Sequence, residues 1–389
     1  MRLRPALLWT ALFMLPLLAG VQEACSRIGV VTGKGIAAVV REHFSKPVLY
    51  IVVLLVLIAN TINIGADIGA MAAADLLFPL PFVVFALLVT VIILTLEIFL
   101  SYKVYARILR WLTLALWAYP LTVFIVAEPW PTILRATFLP HLEFNFPFLF
   151  VITGVLGTTI SPYMFFLQAS EETEEEREAH LVGKDGRPRI NRGFIHDMRI
   201  DSFAGMFFSE VVTWAIIVVS ATVLHSNGVT NIQTAADAAR ALLPLVHTFP
   251  NSGYIAQSLF AIGIIGLGLL AIPVLAGSAS YAVSESFQWV EGLDQKLTKA
   301  WGFYGVIIVA TVIGLLLNFI GINPIKALVY TAVINGVVAV PLIFIIALIA
   351  RNKNIMGQYK SGWFSNLLVW PTFIGMGAAA VAMFATLGH

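Results

Sequence analysis

The residues best suited to chemistry lie in the stretch GTTISPY, positions 157–163, which follows the apolar run FPFLFVITGVL. Pro162 has no backbone N–H, so it interrupts any helix that passes through it. Gly157 and the nearby threonines and serine add a permissive backbone position and several hydroxyl groups. At mid-membrane depth, the freed carbonyl groups of a broken helix can coordinate a cation, as in secondary transporters. The stretch therefore predicts a cation site at a break marked by Gly157 and Pro162. The alternative is a proline kink that serves helix packing alone.

The composition indicates a protein of the membrane. Of 389 residues, 59% are hydrophobic and only 11% are charged, whereas soluble domains are about half apolar and about one quarter charged. A net charge of +2 gives no reason to expect a nucleic-acid partner. Cys25 is the only cysteine, which excludes an intrachain disulfide. No zinc-binding or nucleophile motif of a known enzyme class is present, so we expect a protein that is not an enzyme and needs no cofactor.

Ten apolar segments are long enough to span a bilayer, which takes about 20 residues. We therefore predict an all-α polytopic membrane protein whose whole length, 1–389, forms a single transmembrane domain. The segments lie at 5–22, 47–77, 79–101, 108–127, 147–171, 199–225, 254–288, 301–320, 325–350 and 363–388.

Positive charge is distributed unequally between the two sets of connections. Eighteen Lys and Arg residues fall after the first, third, fifth, seventh and ninth segments, whereas the opposite connections hold Arg135, Arg240 and Lys326. Because cytoplasmic connections carry the excess of basic residues, the first set is predicted to face the cytoplasm. It includes a predicted charged cytoplasmic loop over 171–199.

This orientation places both termini outside, together with Arg2 and Arg4, and so conflicts with the rule that produced it. One additional helix upstream would remove the conflict, and the sequence reads as if it begins at its second helix. An unusual topology with an external N-terminus is the alternative.

Polar residues inside membrane segments are costly, and each has two interpretations. Asn60, Asn63 and Asp67 share one face of the second segment, where asparagines commonly hydrogen-bond to a neighbouring helix. Asp67 is less easily explained by packing. Asn335 is either an interhelical hydrogen-bonding residue or a ligand, and Glu97 is expected to pair with the nearby Lys103.

Four stretches resemble the natural resistance-associated macrophage protein (Nramp) family of divalent metal transporters. They are SRIGVVTGKGIAAVVREHF (26–44), ADIGAMAAADLLF (66–78), GTTISPY (157–163) and AVPLIFIIALIARNKNIMG (339–357). The resemblance implies a LeuT-type fold of inverted five-helix repeats, with the second to eleventh helices of the family present. It places GTTISPY at the broken sixth helix.

The resemblance also exposes departures from the family pattern. The first helix, which supplies an Asp and an Asn to the metal in typical members, has no counterpart here. The metal-binding methionine matches Ser161, the histidine after the proline matches Tyr163, and the alanine that offers its carbonyl matches Thr158. Acids linked to proton movement match Asn63 and an alanine, and Asp67 is the nearest substitute.

The resemblance therefore implies a secondary transporter that moves Mn²⁺, Mg²⁺ or Fe²⁺ by alternating access. Thr158, Ser161 and Asn335 are the expected metal ligands, and Tyr163, Asn63 and Asp67 the expected ion or proton pathway. Replacing a thioether by oxygen ligands favours hard ions, as in the magnesium-transporting branch of the family. The expected setting is a multi-pass protein in the lipid bilayer of a bacterial inner membrane, acting as a monomer.

Two alternatives remain. The same fold could carry an amino acid or another small organic solute, although such sites expose glycine at the break, and here Tyr163 and Met164 follow it. The chain could also be a truncated homologue that does not transport.

Overall fold

The computed structural model describes residues 7–73, 80–99, 130–178, 192–221, 252–293 and 295–386, with scattered positions at 104–123 and at 188 and 190. Every regular element within these residues is a helix. The twelve that matter here are α1 (Leu8–Thr32), α2 (Ile36–His43), α3 (Lys46–Ala72), α4 (Phe82–Phe99), α5 (Trp130–Phe138), α6 (Phe146–Thr159), α7 (Pro162–Glu178), α8 (Arg192–Val219), α9 (Ser252–Phe287), α10 (Trp301–Leu317), α11 (Pro324–Arg351) and α12 (Trp363–Ala385).

The described residues contain nine segments that are long and apolar enough to cross a membrane, with α6 and α7 together forming one of them. Nine of the ten predicted segments correspond to these, and the tenth, 108–127, lies largely outside the described residues. The first segment was predicted too short. Its helix continues to Thr32, because Arg27 and Glu23, four residues apart, form an ion pair on the helix itself.

The predicted loop over 171–199 is also corrected. The acidic sequence that follows the apolar part of α7 continues the same helix to Glu178, and α8 already begins at Arg192. Glu176 and Thr173 in this extension are buried, so it is not a solvated loop. Glutamate is a good helix former, and a charged composition alone does not end a helix.

Local sequence sets the ends of the helices near the break. The Asn145 side chain accepts a hydrogen bond from the backbone N–H of Phe148, and Asn323 caps α11 in the same way at Lys326. Each cap is followed by a proline in the first turn, where its missing N–H removes no helical bond. These caps fix where α6 and α11 begin, and hence how they lie side by side.

Two apolar cores hold the helices together. The first joins parts of α1, α2, α3, α7, α9, α11 and α12, and the second joins parts of α3, α4, α7, α9 and α10. Helix α3 belongs to both. It approaches α10 closely because Gly65 and Gly69 leave no room for a Cβ beside Gly314 and Asn318, and the Asn318 amide donates to the Gly65 carbonyl at 2.9 Å.

Candidate cation site at the broken helix

The helix is interrupted between Thr159, where α6 ends, and Pro162, where α7 begins. Ile160 has φ −102° and ψ 70°, which lies outside the helical region. Its N–H still bonds to the Leu156 carbonyl at 2.8 Å, and the chain resumes with a bond from Met164 N to the Ser161 carbonyl at 3.2 Å. The carbonyl groups of the last turn of α6 therefore lack the partners that a continuous helix would provide.

Ser161 is buried at 1% exposure, and its hydroxyl lies at the centre of this break. The Oγ atom is 2.7 Å from the carbonyl oxygens of both Gly157 and Thr158. A hydroxyl has one proton and two acceptor lone pairs, so Ser161 donates to these carbonyls while its oxygen can still face a cation. One serine thus gathers three oxygen atoms within a single turn.

Thr158 faces Ser161 through its backbone carbonyl, as the family resemblance implies, whereas Gly157 has a different place from the one expected. The Thr158 side chain is exposed and donates to the Val155 carbonyl at 3.0 Å, so its backbone carbonyl, not its hydroxyl, faces Ser161. Gly157 lies inside the last turn of α6 and not at the break itself. A Cβ there would collide with the backbone of Ala332 and Gly336, so the glycine permits contact with α11.

Helix α11 brings Asn335 close to this contact, because Asn335 directly precedes Gly336. Asn335 is buried, and its Oδ1 atom has no hydrogen-bond partner. Thr153, one turn before Gly157, is also buried with an unpartnered hydroxyl, and its backbone touches Gly336. Buried oxygen atoms without partners are costly, and they are the kind of group that a cation satisfies. Sequence reasoning missed Thr153, because a threonine in an apolar helix usually bonds to its own backbone.

The polar face of α3 is buried as well. Asn60 donates from its amide to the Leu275 carbonyl of α9 at 3.0 Å, while its Oδ1 has no partner. This hydrogen bond supports the packing interpretation for the amide group of Asn60. Asn63 is buried one turn further along, and Asp67 is half-buried beyond it.

Tyr163 connects the break to this face of α3. Its side chain packs against the apolar core that includes Ile64 and Ile68 of that helix. Its backbone carbonyl accepts a hydrogen bond from Ser278 of α9 at 2.7 Å. The structure therefore brings the Ser161 hydroxyl together with the carbonyls of Gly157 and Thr158, and packs Tyr163 against the helix that carries Asp67, whereas the Thr158 hydroxyl points elsewhere.

Within the described part of the chain, no three His, Cys, Asp or Glu side chains lie close enough to chelate a metal ion. The oxygen atoms that meet at Ser161 are neutral, and Asp67 is the carboxylate on the polar face of α3. Neutral oxygens and a single carboxylate suit a hard, partly hydrated cation better than a soft one.

Two polar clusters lie far from the break, at the ends of α1 and α9 that are predicted to face the cytoplasm. Arg27 is buried and donates to Glu23, to the Tyr359 carbonyl and to Ser361 and Ser365. The other cluster centres on Glu285, which Ser170 and the N-terminus of α2 contact. No local sequence signal identifies this second cluster, because its partners are more than 100 residues apart.

Glu97 lies on α4 with both carboxylate oxygens buried and without a hydrogen-bond partner. Lys103, the partner expected from the sequence, lies outside the described residues, so that ion pair stays a prediction.

Comparison with known families decides the relationship. The sequence profile of the Nramp family, described as natural resistance-associated macrophage protein-like, matches residues 4–386. The chain belongs to the Nramp family. The resemblance inferred from four short stretches is therefore confirmed over nearly the whole chain.

Relatives of this Nramp-family chain include bacterial proteins named divalent metal cation transporter MntH. The one from Listeria innocua is 26% identical over 363 residues, covering 91% of this chain and 76% of its own length. The one from Mesorhizobium japonicum is 28% identical over 308 residues, covering 75% of this chain and 64% of its own length.

Solved structures confirm the fold. The manganese transporter of Eremococcus coleocola, in complex with an aromatic bis-isothiourea compound, matches with a TM-score of 0.72 at 16% identity. The match covers 98% of this chain and 81% of that one. A mutant of the same transporter gives the same TM-score at 17% identity. The Nramp-family chain thus has the predicted all-α, LeuT-type transporter fold.

Proposed function

We propose that this protein carries divalent metal cations across a membrane, by alternating access around the break between Thr159 and Pro162. Family membership over residues 4–386 and relatives named as divalent metal cation transporters support the class of substrate. The observation that carries the proposal is the buried Ser161 hydroxyl, held 2.7 Å from two carbonyl oxygens at a helix break. Such freed carbonyls bind cations in transporters of this architecture.

The ligand set proposed for the ion consists of oxygen atoms. Ser161 Oγ and the Thr158 carbonyl come from the break, and Asn335 Oδ1 comes from α11, where it is buried without a partner. Oxygen ligands favour Mg²⁺ and Mn²⁺ over softer transition metals, which prefer sulfur or imidazole. We therefore expect Mg²⁺ and Mn²⁺ to be the preferred substrates, with Fe²⁺ less well bound.

The route between the site and the cytoplasm is proposed to pass Tyr163 and Asp67, with Asn63 on the same helix face. Tyr163 replaces the family's histidine, and a phenol is a weaker base than an imidazole. Asp67 is then the group available to accept a proton or to attract the ion. The setting is a lipid bilayer crossed several times, in the cell membrane of a bacterium, with the monomer as the working unit.

Transport of an organic solute fits the geometry less well. Such sites commonly use an exposed glycine at the break to approach the substrate, but Gly157 is occupied by its contact with α11.

The proposal is tested by measuring uptake of Mn²⁺ into proteoliposomes that contain the purified chain, with Mg²⁺ as competitor. Ser161→Ala removes one proposed ligand, and we expect it to lower uptake at subsaturating Mn²⁺ by about tenfold or more, since changes around bound metals cost that much. Ser209→Ala, an exposed serine on α8, is the matched control and should leave uptake unchanged. Absence of uptake of both ions by the unaltered chain would favour the non-transporting alternative.

A further inference from the structure

Helix α7, the half of the broken helix after Pro162, lies between two groups of helices. On one side it packs against α1, which in turn packs against α8. On the other side it packs against α9, which packs against α3 and α10. Transporters with inverted repeats change access by moving one group of helices against another around a fixed site. Such a movement would change the contact between α7 and α9, so residues in this contact can allow it or prevent it.

Three side chains on one face of α9 make polar contacts across this boundary. Ser278, Tyr281 and Glu285 are spaced at i, i+3 and i+7 and so share that face. The Ser278 hydroxyl donates to the Tyr163 carbonyl at 2.7 Å, and the Tyr281 hydroxyl donates to Glu174 at 2.6 Å. A third hydrogen bond, 2.7 Å long, runs from the Ser170 hydroxyl to the Glu285 carboxylate. We call these three contacts the α7–α9 ladder.

Glu285 reaches a third element as well. Its Oε2 atom accepts a hydrogen bond from the backbone N–H of Ala38 at 3.0 Å, in the first turn of α2. The residue that precedes α2 is Gly35, which has no side chain with which to cap the helix. A Cβ at Gly35 would collide with the Glu285 carboxylate, so the carboxylate occupies the space where a local cap would lie.

The backbone around Glu285 is tied to α2 a second time. The Arg41 guanidinium, near the end of α2, donates to the Glu285 carbonyl. Glu285 itself is buried at 3% exposure, and Ser170 at 2%. A buried carboxylate is tolerated only while its oxygen atoms have hydrogen-bond donors. When α7 moves away from α9, Glu285 loses its hydrogen bond from Ser170. We therefore expect the contacts of Glu285 with α7 and with α2 to form and break together.

We propose that Glu285 is a positioning residue of the transport cycle: its carboxylate holds α7, α9 and the N-terminus of α2 together while the inner end is closed, and releases Ser170 when α7 moves. This inference rests on the proposed function in one respect: it takes the movement of α7 to be part of the transport cycle. The position of Tyr163, at the other end of the α7–α9 ladder, depends on the same contacts. Glu285 thus acts on the cation site through α7 and does not touch the ion.

The closed state can be followed without measuring transport. Leu167 is buried at the α7–α9 boundary, where its Cδ1 would lie 3.8 Å from a Cβ at Gly277. In a Cys25→Ser background, which has no other thiol, Leu167→Cys places a reporter there. Its reaction rate with a membrane-impermeant thiol reagent measures how often the inner end opens.

Glu285→Ala in this background is expected to raise the reaction rate about tenfold or more, the factor that loss of a hydrogen bond to a charged group produces. Asp197→Ala, which changes an exposed acidic residue on α8, is the matched control and should change nothing. A reaction rate in Glu285→Ala equal to that of the parent would overturn the proposal.

A double variant distinguishes a positioning role of Glu285 from a role only as the cap of α2. Gly35→Asp combined with Glu285→Ala gives α2 a local N-cap, since Asp is a favoured capping residue and Gly35 already has the extended backbone that a cap needs. We expect this double variant to recover thermal stability. Thiol reactivity should stay high, because the hydrogen bond between Ser170 and the side chain at position 285 is still missing. Recovery of both properties would mean that Glu285 is only a cap. Since neither readout involves metal, failure here is distinguishable from failure of the proposed function.

Discussion

The two halves of the broken helix meet α11 and α9 in different ways. The half before the break, α6, touches α11 backbone to backbone, with Gly157 and Gly336 leaving no space between them. The half after the break, α7, is held against α9 by hydrogen bonds that Ser278 and Tyr281 donate to α7 and one that Glu285 accepts from Ser170. Close-packed backbones transmit strain and do not rearrange easily, whereas hydrogen bonds can be exchanged for bonds to water. On its other side α7 touches α1 backbone to backbone, where Gly29 leaves no room for a Cβ beside Ala169. The difference indicates that α6 stays with α11, and that α7 stays with α1 and moves against α9.

The largest expected effect comes from disturbing the fixed half. Gly157→Ala would force its methyl group into the backbone of Ala332 and Gly336, which cannot move aside without separating two helices. We expect a loss of about 3 kcal/mol in the free energy of unfolding, the upper part of the range for overpacking, seen as a lower melting temperature in detergent. Gly277→Ala is the matched control on the moving side. Its methyl group meets only Leu167 at an ordinary distance of 3.8 Å, and equal losses for the two variants would contradict the comparison.

A smaller effect is expected from the moving half. Tyr281→Phe deletes the hydroxyl that donates to Glu174, and loss of a hydrogen bond to a charged group costs about 2 kcal/mol. Because the contact crosses the α7–α9 boundary, we expect the thiol at position 167 to react faster in this variant. Converted to a free energy, this increase in rate should exceed the loss in the free energy of unfolding. Tyr330→Phe, an exposed tyrosine on α11, should affect neither quantity. Unchanged thiol reactivity in Tyr281→Phe would show that the ladder does not hold the inner end closed.

The smallest effect is expected at Thr158. Its hydroxyl is exposed and bonds only to the Val155 carbonyl, while its backbone carbonyl faces Ser161. Thr158→Val keeps the carbonyl and removes the hydroxyl, so Mn²⁺ uptake should remain within about twofold of the unaltered chain, as for most surface substitutions. A loss comparable to that of Ser161→Ala would instead make the hydroxyl a ligand.

The sequence was sufficient to place the break, because a proline in an apolar segment leaves few alternatives. It was also sufficient for nine membrane helices and the family. It failed where charged residues are paired inside the structure. Arg27 and Glu23 resembled a loop but lie within α1, and the acidic sequence after Ser170 resembled a loop but continues α7.

The cap on α2 could not be predicted at all, because Glu285 and Ala38 are 247 residues apart. Gly157 was predicted to mark the break, but the structure places it inside α6, in contact with α11. A glycine near a proline suggests a flexible break, whereas a close helix contact at that position becomes visible only once α11 is placed beside α6. Such long-range contacts depend on how the helices assemble, and no local pattern in the chain records them.

The most direct test of the account is hydrogen–deuterium exchange of the unaltered chain, measured with and without saturating Mg²⁺ or Mn²⁺. Exchange reports the local opening of helices. We predict that the ion changes exchange in peptides from 163–178, 278–287 and 35–41, and leaves unchanged the parts of α6 and α11 that hold no proposed ligand, 148–156 and 340–350. No response to either ion, or an equal response in α6 and α11, would contradict a cation transporter in which the half of the broken helix after Pro162 is the moving part.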